Sequence, residues 1–162
     1  MKKRTCYRLM IASLIGVIAA TTMLFIQIHK FTKVVYAKST ESSLEEELYC
    51  DSLEMLAICV QAEAGDQLLT GRRMVADVIL NRVDDPDWPD TIEGVITERN
   101  QFTSYWDGGM DKVQEPDELT IKAVQMELKQ RSWPGLYYFT AGGYGKYGTP
   151  WKKVGDHYFC TK

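Results

Sequence analysis

An uncharged run at residues 9–28 is the feature that most constrains the fold of this chain. It is 20 residues long, which matches the roughly 20 residues that a helix needs to cross a bilayer. Four of the eight residues before it are Lys or Arg, and such a basic flank stays on the cytoplasmic side. We therefore predict a cytoplasmic basic tail at 1–8, one transmembrane helix at 9–28, and an extracytoplasmic remainder.

Two fates are open to this N-terminal segment. It is either a retained membrane anchor or a long signal peptide that is cut after the small residue Ala37. Lys30 and Lys33 separate the apolar run from Ala37, and this separation favours the anchor. Under both interpretations the protein acts outside the cytoplasm, at the cell membrane or secreted from it.

The remainder divides into a linker and one domain. Residues 29–50 are rich in Ser and Glu towards their end and are interpreted as a stalk, with the first turn of a helix at its C-terminal end. Residues 51–162 are about 110 residues, enough for one domain with one hydrophobic core. The sequence therefore predicts a single folded domain at 51–162.

Charge and ligand types exclude several functions. Residues 38–162 contain 13 basic and 22 acidic residues, a net charge of −9, whereas nucleic-acid binding requires basic patches. The only histidines are His29 and His157, and no Cys-x-x-Cys occurs, so a zinc site is not expected. The glycine-rich stretch 141–150 is not followed by a helix with the lysine of a phosphate-binding loop. We predict no nucleic-acid partner, no metal and no cofactor.

The cysteines leave two possibilities. Cys50, Cys59 and Cys160 all fall in the extracytoplasmic part, where disulfides persist. Cys59 with Cys160 is our choice of pair, because it would link a helix to the C-terminal strand. Cys59 as an unpaired core thiol fits the sequence equally well.

The order of the predicted elements indicates an α+β fold, with a helical lobe followed by a small antiparallel sheet. Apolar residues at helical spacing predict a helix over 70–83, and Thr91 is a suitable N-cap for a short helix. The predicted helices are 53–64, 70–83, 92–96 and 116–131. Residues 101–106 are expected to be a strand or extended loop. The predicted strands are 136–139 and 157–160, with a flexible loop at 141–150 between them.

Glu63 is the candidate catalytic residue. On the helix 53–64 it shares a face with Leu56, Cys59 and Val60, whereas Glu54 falls on the opposite side. Loss of water favours the protonated form of a carboxyl group, and a protonated carboxyl group is what a general acid supplies. The alternative is a structural ion pair between Glu63 and one of the nearby arginines, which are Arg72, Arg73 and Arg82.

Several segments together resemble one known family. From residue 53 to residue 160 the chain is similar to the catalytic domain of the SleB/CwlJ-type cell wall hydrolases. The segments that carry the resemblance are Ala62-Glu63-Ala64-Gly65, Gly71, 75–83, 89–96, Gln101-Phe102-Thr103, 136–139 and 155–160. They occur in the family's order, and no single short motif accounts for the match.

The resemblance implies a lysozyme-like lytic transglycosylase fold and cleavage of peptidoglycan glycan strands. Kinship with this family also implies a role in opening the spore cortex at germination, although an anchored protein could equally serve the growing wall or the passage of a mobile element through the wall. The family's catalytic glutamate corresponds to Glu63. The family often has a second glutamate four residues later, and that position is Gln67 here. Either the second glutamate is dispensable for the chemistry or this protein is impaired, and we favour the first.

Two mechanisms would break the bond between N-acetylmuramic acid and N-acetylglucosamine. A muramidase usually needs two carboxyl groups, whereas a lytic transglycosylase needs one, because the 6-hydroxyl of the sugar attacks its own anomeric carbon. Asp66 is expected to be solvated, and Asp77 is expected in a surface or interhelical pair, whereas Asp107 and Asp156 remain possible second carboxylates. The sequence favours transglycosylation with Glu63 as general acid and base.

Aromatic and amide side chains are expected to line a sugar-binding groove. The candidates are Gln101, Phe102, Tyr137 and Phe139. In a regular strand Tyr137 and Phe139 would lie on one face and Tyr138 on the other. The alternative is that these aromatic residues belong to the core.

Two other classes of function compete with this interpretation. A thiol–imidazole pair of Cys59 and His157 could cut wall peptides, but a mid-helix thiol on an apolar face lacks the low pKa that this chemistry requires. The second class is a membrane-tethered module that binds peptidoglycan without cutting it. Binding that survives Glu63→Gln without release of soluble fragments would favour such a module.

Overall fold

Five α-helices precede a three-stranded sheet in the computed structural model, which describes the backbone over residues 2–162. Side chains are described at residues 22, 23, 25, 26, 30, 32, 33, 38 and 40–162. The helices are α1 (Lys2–Ala64), α2 (Leu69–Val83), α3 (Ile92–Thr97), α4 (Thr103–Trp106) and α5 (Glu118–Lys129), with a 3₁₀ turn at Met110–Lys112. The strands are β1 (Leu136–Ala141), β2 (Thr149–Val154) and β3 (His157–Thr161).

The chain divides into two units, Met1–Leu48 and Tyr49–Lys162. The first unit is helical from residue 2 onwards, so the segment 29–50, predicted as a stalk, belongs to α1. Most side chains of the predicted span 9–28 lie outside the described residues. Within the part that the structure does describe, no helix has both the length and the apolar character that a membrane crossing requires.

α2 is the central element of the second unit. It packs against α3, α5 and β1, and its residues 74–82 are all buried. A helix that is buried on nearly every side needs partners all round. Buried residues of the C-terminal part of α1 and of the sheet belong to the same core cluster as those of α2. The centre of the core is formed by Leu56, Cys59, Val60, Val75, Val78, Ile79, Val95, Ile96, Phe102, Leu136 and Phe159.

Asp77 is an exception to the apolar core around α2. Its side chain is fully buried, so the expected surface pair is wrong, and Asp77 forms no ion pair among residues 40–162. One carboxylate oxygen, Oδ2, accepts a hydrogen bond of 2.5 Å from the Trp133 backbone N–H. Burial is the main cause that raises the pKa of Asp77 to about 7, and the nearby carboxylate of Glu127 on α5 raises it further.

Side-chain caps define the starts of two helices. The Thr91 hydroxyl accepts a hydrogen bond from the Gly94 N–H, which confirms the predicted N-cap of α3. α5 begins at Glu118 rather than at Pro116, because the Asp117 carboxylate caps it by accepting a hydrogen bond from the Thr120 N–H. The sequence therefore predicted this helix correctly but placed its start two residues too early.

The strands form one antiparallel sheet in the order β1-β3-β2. β1 and β3 agree with the predicted strands. β2 begins inside the segment that was expected to be a flexible loop, and the sequence did not indicate it. Its residues are almost all exposed, and because it is held mainly by backbone pairing with β3, it lacks the alternating apolar pattern by which strands are recognised.

Residues 103–106 are the main error in the predicted secondary structure. They form the single helical turn α4 instead of a strand or extended loop. Their composition of Thr, Tyr and Trp has strand propensity, but tertiary contacts override it. Phe102 is buried in the core before the turn, and Ser104 inside the turn contacts α1.

The cysteines of the second unit are not paired. Cys50 is exposed, and Cys59 and Cys160 are buried free thiols. The expected Cys59–Cys160 disulfide is therefore wrong, and the alternative of a core thiol at Cys59 is correct. Cys59 contributes to the core as a small apolar side chain.

Candidate active site

Glu63 lies in the last turn of α1, where the chain leaves the core. Leu56, Cys59 and Val60 on the same helix are fully buried, whereas Glu63 itself is half-buried. The helix ends at Ala64, and the Gly65 N–H closes the turn by donating to the Gln61 carbonyl. The carboxylate therefore lies at the edge of the apolar core, with access to solvent on one side.

Ser104 is the hydrogen-bond partner of Glu63. The Ser104 hydroxyl donates to Glu63 Oε1 at 2.5 Å, and the Ser104 backbone N–H lies 3.4 Å from the same oxygen. Ser104 is buried at 8% exposure. The turn α4 thus presents two donors to one carboxylate oxygen, and the second oxygen, Oε2, is left for other partners.

None of the three nearby arginines forms an ion pair with Glu63. Arg72 pairs with Asp117, and Arg73 pairs with Glu127. Arg82 donates to the Tyr137 carbonyl and to the Gln101 amide oxygen. The structural ion pair that the sequence allowed as an alternative is therefore wrong.

A buried amide holds two further carboxylates near this site. Gln67 Nε2 donates to Asp66 at 2.8 Å and to Asp156 at 3.2 Å, and Gln67 Oε1 accepts from the Asp156 N–H at 3.0 Å. The three side chains join the α1–α2 loop to the β2–β3 turn, and we call them the Gln67 clamp. Asp66 is exposed, as predicted.

His157 is the first residue of β3 and lies near these acids. It is buried and packs edge-on against Phe139, with ring centroids 5.3 Å apart. Burial lowers the pKa of His157, and the charges of Asp66, Glu63 and Asp156 oppose that effect. Its Nδ1 has no hydrogen-bond partner among the residues that the structure describes.

The thiol–imidazole alternative does not fit these surroundings. Burial raises the pKa of Cys59 well above its usual value, and the charge of Glu63 raises it further. A nucleophilic thiol requires the opposite shift. Cys59 is therefore a core residue rather than a nucleophile.

A groove of about 670 Å³ lies where the chain enters the α4 turn, and Glu63 itself is not among its lining residues. Gln101, Phe102 and Phe139, three of the four predicted substrate-binding residues, line it. Tyr137 is not among the lining residues. Its ring lies under the Lys162 ammonium, 5.3 Å away, and near Asp85.

A β-bulge explains the position of Tyr137. The register between β1 and β3 shifts between Leu136 and Tyr138, so that Tyr137 has no partner of its own. A bulge breaks the two-residue alternation of a strand. Tyr137 and Phe139 accordingly have different neighbours, Lys162 for Tyr137 and Phe102 for Phe139, so the expectation that the two rings share a face is wrong. Tyr138 and Phe139 both line the groove.

The arrangement is suited to proton transfer by a single carboxylate. Glu63 is half-buried, is free of cationic partners among residues 40–162, and is held in place by Ser104. Groups of three or more potential metal ligands do not occur among the described residues. Ser104 and Gln67 contribute to this geometry in ways that the sequence did not indicate, because neither lies in a periodic pattern or a motif with a chemical signature of its own.

Comparison with known proteins gives a consistent match to this unit. The family model described as "Cell Wall Hydrolase" matches residues 66–160, so it begins just after Glu63. The chain is 36% identical over 120 residues to a spore cortex-lytic enzyme of Halalkalibacterium halodurans. It is 34% identical over 116 residues to the spore cortex-lytic enzyme of Bacillus subtilis. These matches cover 70% and 68% of this chain, but only 36% and 37% of the relatives' own lengths.

Two solved structures share the fold. The catalytic domain of the Bacillus cereus SleB protein superimposes with a TM-score of 0.60 at 30% identity, covering 68% of this chain and 89% of that domain. The catalytic domain of a germination-specific lytic transglycosylase, SleB of Bacillus anthracis, gives 0.59 at 30% identity, covering 68% of this chain and 93% of that domain. The helical lobe and three-stranded sheet described above are thus those of the SleB catalytic domain. The chain belongs to the cell wall hydrolase family of the SleB/CwlJ type.

Proposed function

We propose that this protein is an enzyme that cleaves the glycan strands of peptidoglycan, with Glu63 as the catalytic acid and base. The observation that carries the proposal is the setting of Glu63, a half-buried carboxylate that two donors of Ser104 hold and that no arginine neutralises. Family membership supports the substrate class, because the relatives are named as spore cortex-lytic enzymes.

The reaction that fits one carboxylate is lytic transglycosylation. Glu63 donates its proton to the glycosidic oxygen between N-acetylmuramic acid and N-acetylglucosamine, and the bond from that oxygen to the anomeric carbon breaks. The Glu63 carboxylate then takes the proton of the 6-hydroxyl, whose oxygen bonds to the anomeric carbon. This closes a 1,6-anhydro ring, and because the attack is intramolecular, no water has to be positioned.

A hydrolytic muramidase is the alternative, because two other carboxylates lie near Glu63. Asp66 and Asp156 both accept hydrogen bonds from the Gln67 amide, and Asp66 is also exposed. A nucleophile or base for hydrolysis must face the anomeric carbon or its water, whereas the Gln67 clamp occupies an oxygen on each acid. This favours transglycosylation.

Glycan binding is proposed for the groove at the α4 turn. The Gln101 amide and the Phe139 ring supply the polar and apolar contacts that sugars require, and Phe102, at 1% exposure, forms the base between them. Tyr137 instead packs near the C-terminal Lys162. We assign the part of the groove at Gln101, Phe102 and Phe139 to the glycan strand, and Tyr137 to the stability of the sheet edge.

We further propose that residues 9–28 retain the protein at the cell membrane, with the unit Tyr49–Lys162 on the extracytoplasmic side. The proposal rests on the length of the uncharged run and on the basic residues before it. Cell fractionation tests it. The protein should sediment with membranes at its full mass, and recovery of a shortened soluble form would show cleavage after Ala37 instead.

The decisive experiment is mass spectrometry of peptidoglycan digested by the wild-type chain, by Glu63→Gln and by Glu54→Gln. Glu54 is an exposed residue of the same helix, so its variant is a matched control. We expect anhydro-ended fragments from the wild type and the control, and none from Glu63→Gln, which keeps the volume and removes the proton donor. Fragments with reducing muramic acid ends would identify a muramidase. Binding without release in the wild type would identify a wall-binding module.

A further inference from the structure

The groove at the α4 turn has a charge opposite to that of the domain around it. Residues 38–162 carry a net charge of −9, yet the groove is lined by Arg82, Arg99 and Lys146 and by no acidic side chain. Neutral sugars do not require such a cluster. A concentration of positive charge in an acidic protein indicates that the ligand of this groove carries negative charge.

The three cations have different roles. Arg82 is buried at 4% exposure, and its guanidinium already donates to the Tyr137 carbonyl and the Gln101 amide. Arg99 and Lys146 are exposed, and neither forms an ion pair with an acid among residues 40–162. Arg82 therefore braces the floor. Arg99 and Lys146, whose ammonium lies 4.8 Å from the centroid of the Tyr147 ring, have no acidic partner among these residues and can bind an anion at the rim.

The other lining residues fit a peptide rather than a bare anion. Tyr138 stacks on Tyr147 with ring centroids 6.1 Å apart and an interplanar angle of 23°, which provides an apolar surface. The amide of Asn100 supplies hydrogen-bonding groups along the same wall. Peptide backbones and small apolar side chains require this combination of contacts.

The groove is linked to the catalytic carboxylate. Phe102 lines the groove, and Ser104, two residues further along the chain, donates to Glu63. Phe139 lines the groove and also packs against His157, whose pKa responds to the charge of Glu63. Two links thus connect the groove to the Glu63 site, one through the α4 turn and one through His157.

We propose that the part of this groove lined by Arg99, Tyr138, Lys146 and Tyr147 binds the peptide substituent that muramic acid residues carry, through the carboxylates of that peptide. The inference rests on the proposed function, because it takes the substrate to be a peptidoglycan strand. Arg99 and Lys146 bind the carboxylates, and Tyr138 and Tyr147 contact the apolar part of the peptide. The enzyme then prefers strands whose muramic acid residues carry free acidic peptides.

The test measures binding rather than cleavage, with the full-length Glu63→Gln chain as the receptor. The ligands are a disaccharide-tetrapeptide with free carboxylates and the same molecule with its peptide carboxylates amidated. We expect amidation to weaken binding roughly fivefold, because it removes exposed ion pairs. The difference in affinity between the two ligands should shrink as the salt concentration is raised, because salt screens these pairs. Adding Arg99→Gln and Lys146→Gln should reduce the affinity for the free acid to that for the amide.

A charge-matched control uses Lys122→Gln with Lys129→Gln, two exposed lysines of α5 outside the groove. These should leave the effect of amidation unchanged. Equal binding of both ligands by the parent receptor would overturn the inference. So would an equal loss of affinity for the free acid in the groove variant and in the α5 control variant. Displacement of the disaccharide-tetrapeptide by equimolar inorganic phosphate would also overturn it, in favour of a phosphate-bearing wall polymer.

The outcome separates this inference from the proposed function. If the wild-type chain cleaves no glycan but the receptor still distinguishes free acid from amide, the proposed reaction fails and the groove assignment stands. If the chain cleaves glycan and amidation has no effect on binding, the groove assignment alone fails.

Discussion

Glu63 depends on Ser104 for its orientation. A carboxylate at the end of a helix can rotate about three side-chain bonds, and fixing it lowers the entropy cost of reaching a reactive geometry. The hydroxyl and the backbone N–H of Ser104 both point at Oε1, so the other oxygen is directed towards the open side. We therefore regard Ser104 as a positioning residue for the proposed reaction.

Replacing Ser104 with Ala tests this role. A hydrogen bond to a charged group contributes about 1.5–3 kcal/mol, so we expect the rate of fragment release to fall roughly 10- to 100-fold. Turnover kinetics on purified peptidoglycan would measure it, with kcat reduced and KM little changed. Ser104→Thr keeps the hydroxyl and should recover most of the rate. Equal losses in Ala and Thr would show that Ser104 acts only through packing.

At the scale of single residues, the sequence predicted positions better than partners. Helical spacing placed Glu63 on the face of Leu56 and Val60, and both of these are fully buried. It could not identify Ser104 as a partner, because that contact joins residues 41 positions apart. The placement of Tyr137 was wrong because a β-bulge depends on the partner strand and leaves no mark on local composition.

Between elements, the Gln67 clamp connects the end of the helical lobe to the sheet. Gly155 of the β2–β3 turn has φ +58°, and a Cβ there would lie 1.9 Å from Gln67 Oε1. The turn therefore requires glycine for its backbone conformation and for the space that Gln67 occupies. The clamp brings Asp156 and His157 to the region of Glu63.

Gln67→Glu should weaken this connection at neutral pH. The change replaces two donated hydrogen bonds by a third carboxylate beside Asp66 and Asp156, and we expect a loss of about 1–3 kcal/mol in the free energy of unfolding at pH 7. Protonation should recover part of the loss near pH 4. Urea unfolding at the two pH values measures it. Gln67→Met removes the same hydrogen bonds without adding charge, so its loss should not depend on pH.

The same substitution bears on the family comparison. The resemblance places a second glutamate of the family at this position, and we expect it to be dispensable for the chemistry. Gln67→Glu should therefore not raise kcat. An increase in kcat would mean that the second glutamate participates in the reaction and that its absence impairs this protein.

Asp77 makes the packing of α2 against α5 sensitive to pH. Its folded pKa of about 7 lies above its ordinary value of 3.8, so between these values the folded state binds a proton that the unfolded state releases. The contribution of Asp77 to the free energy of unfolding is then largest below about pH 4, and this contribution is lost as the pH rises to about 7. Asp77→Asn removes this loss and retains an oxygen acceptor for the Trp133 N–H.

We expect Asp77→Asn to be more stable than the wild type at pH 8, by on the order of 2 kcal/mol, and close to it at pH 4.5. Denaturant unfolding at both pH values measures the difference. Asp90→Asn removes an exposed carboxylate and should change stability little at either pH. A stability difference for Asp77→Asn that is the same at pH 4.5 and pH 8 would contradict the assignment.

Elements with a strong pattern were predicted, and those held by distant partners were not. α2 has a buried stripe of helical period, and β1 and β3 are short aromatic runs, so all three were identified. α4 is a single turn, and β2 is an exposed edge strand with Pro150, Lys152 and Lys153. Both depend on neighbours that are remote in sequence.

At the scale of the whole molecule, the unit Tyr49–Lys162 contains the complete described core and the candidate site. We expect a fragment of residues 49–162 to unfold cooperatively, with a thermal midpoint within roughly 2 °C of the full chain, because the residues removed contribute nothing to that core. Calorimetry measures it. A fragment of 59–162 loses Leu56, which is fully buried, and should be clearly less stable. Equal midpoints for the two fragments would contradict this description of the core.

The free thiols of Cys59 and Cys160 have a consequence for how the protein matures. Small exported domains often require oxidation to become stable, and their folding then waits for an oxidant and for the correct pairing. Here the core closes on two reduced sulfur atoms, so a newly made chain needs no oxidant to complete its fold, whether its surroundings are oxidising or reducing.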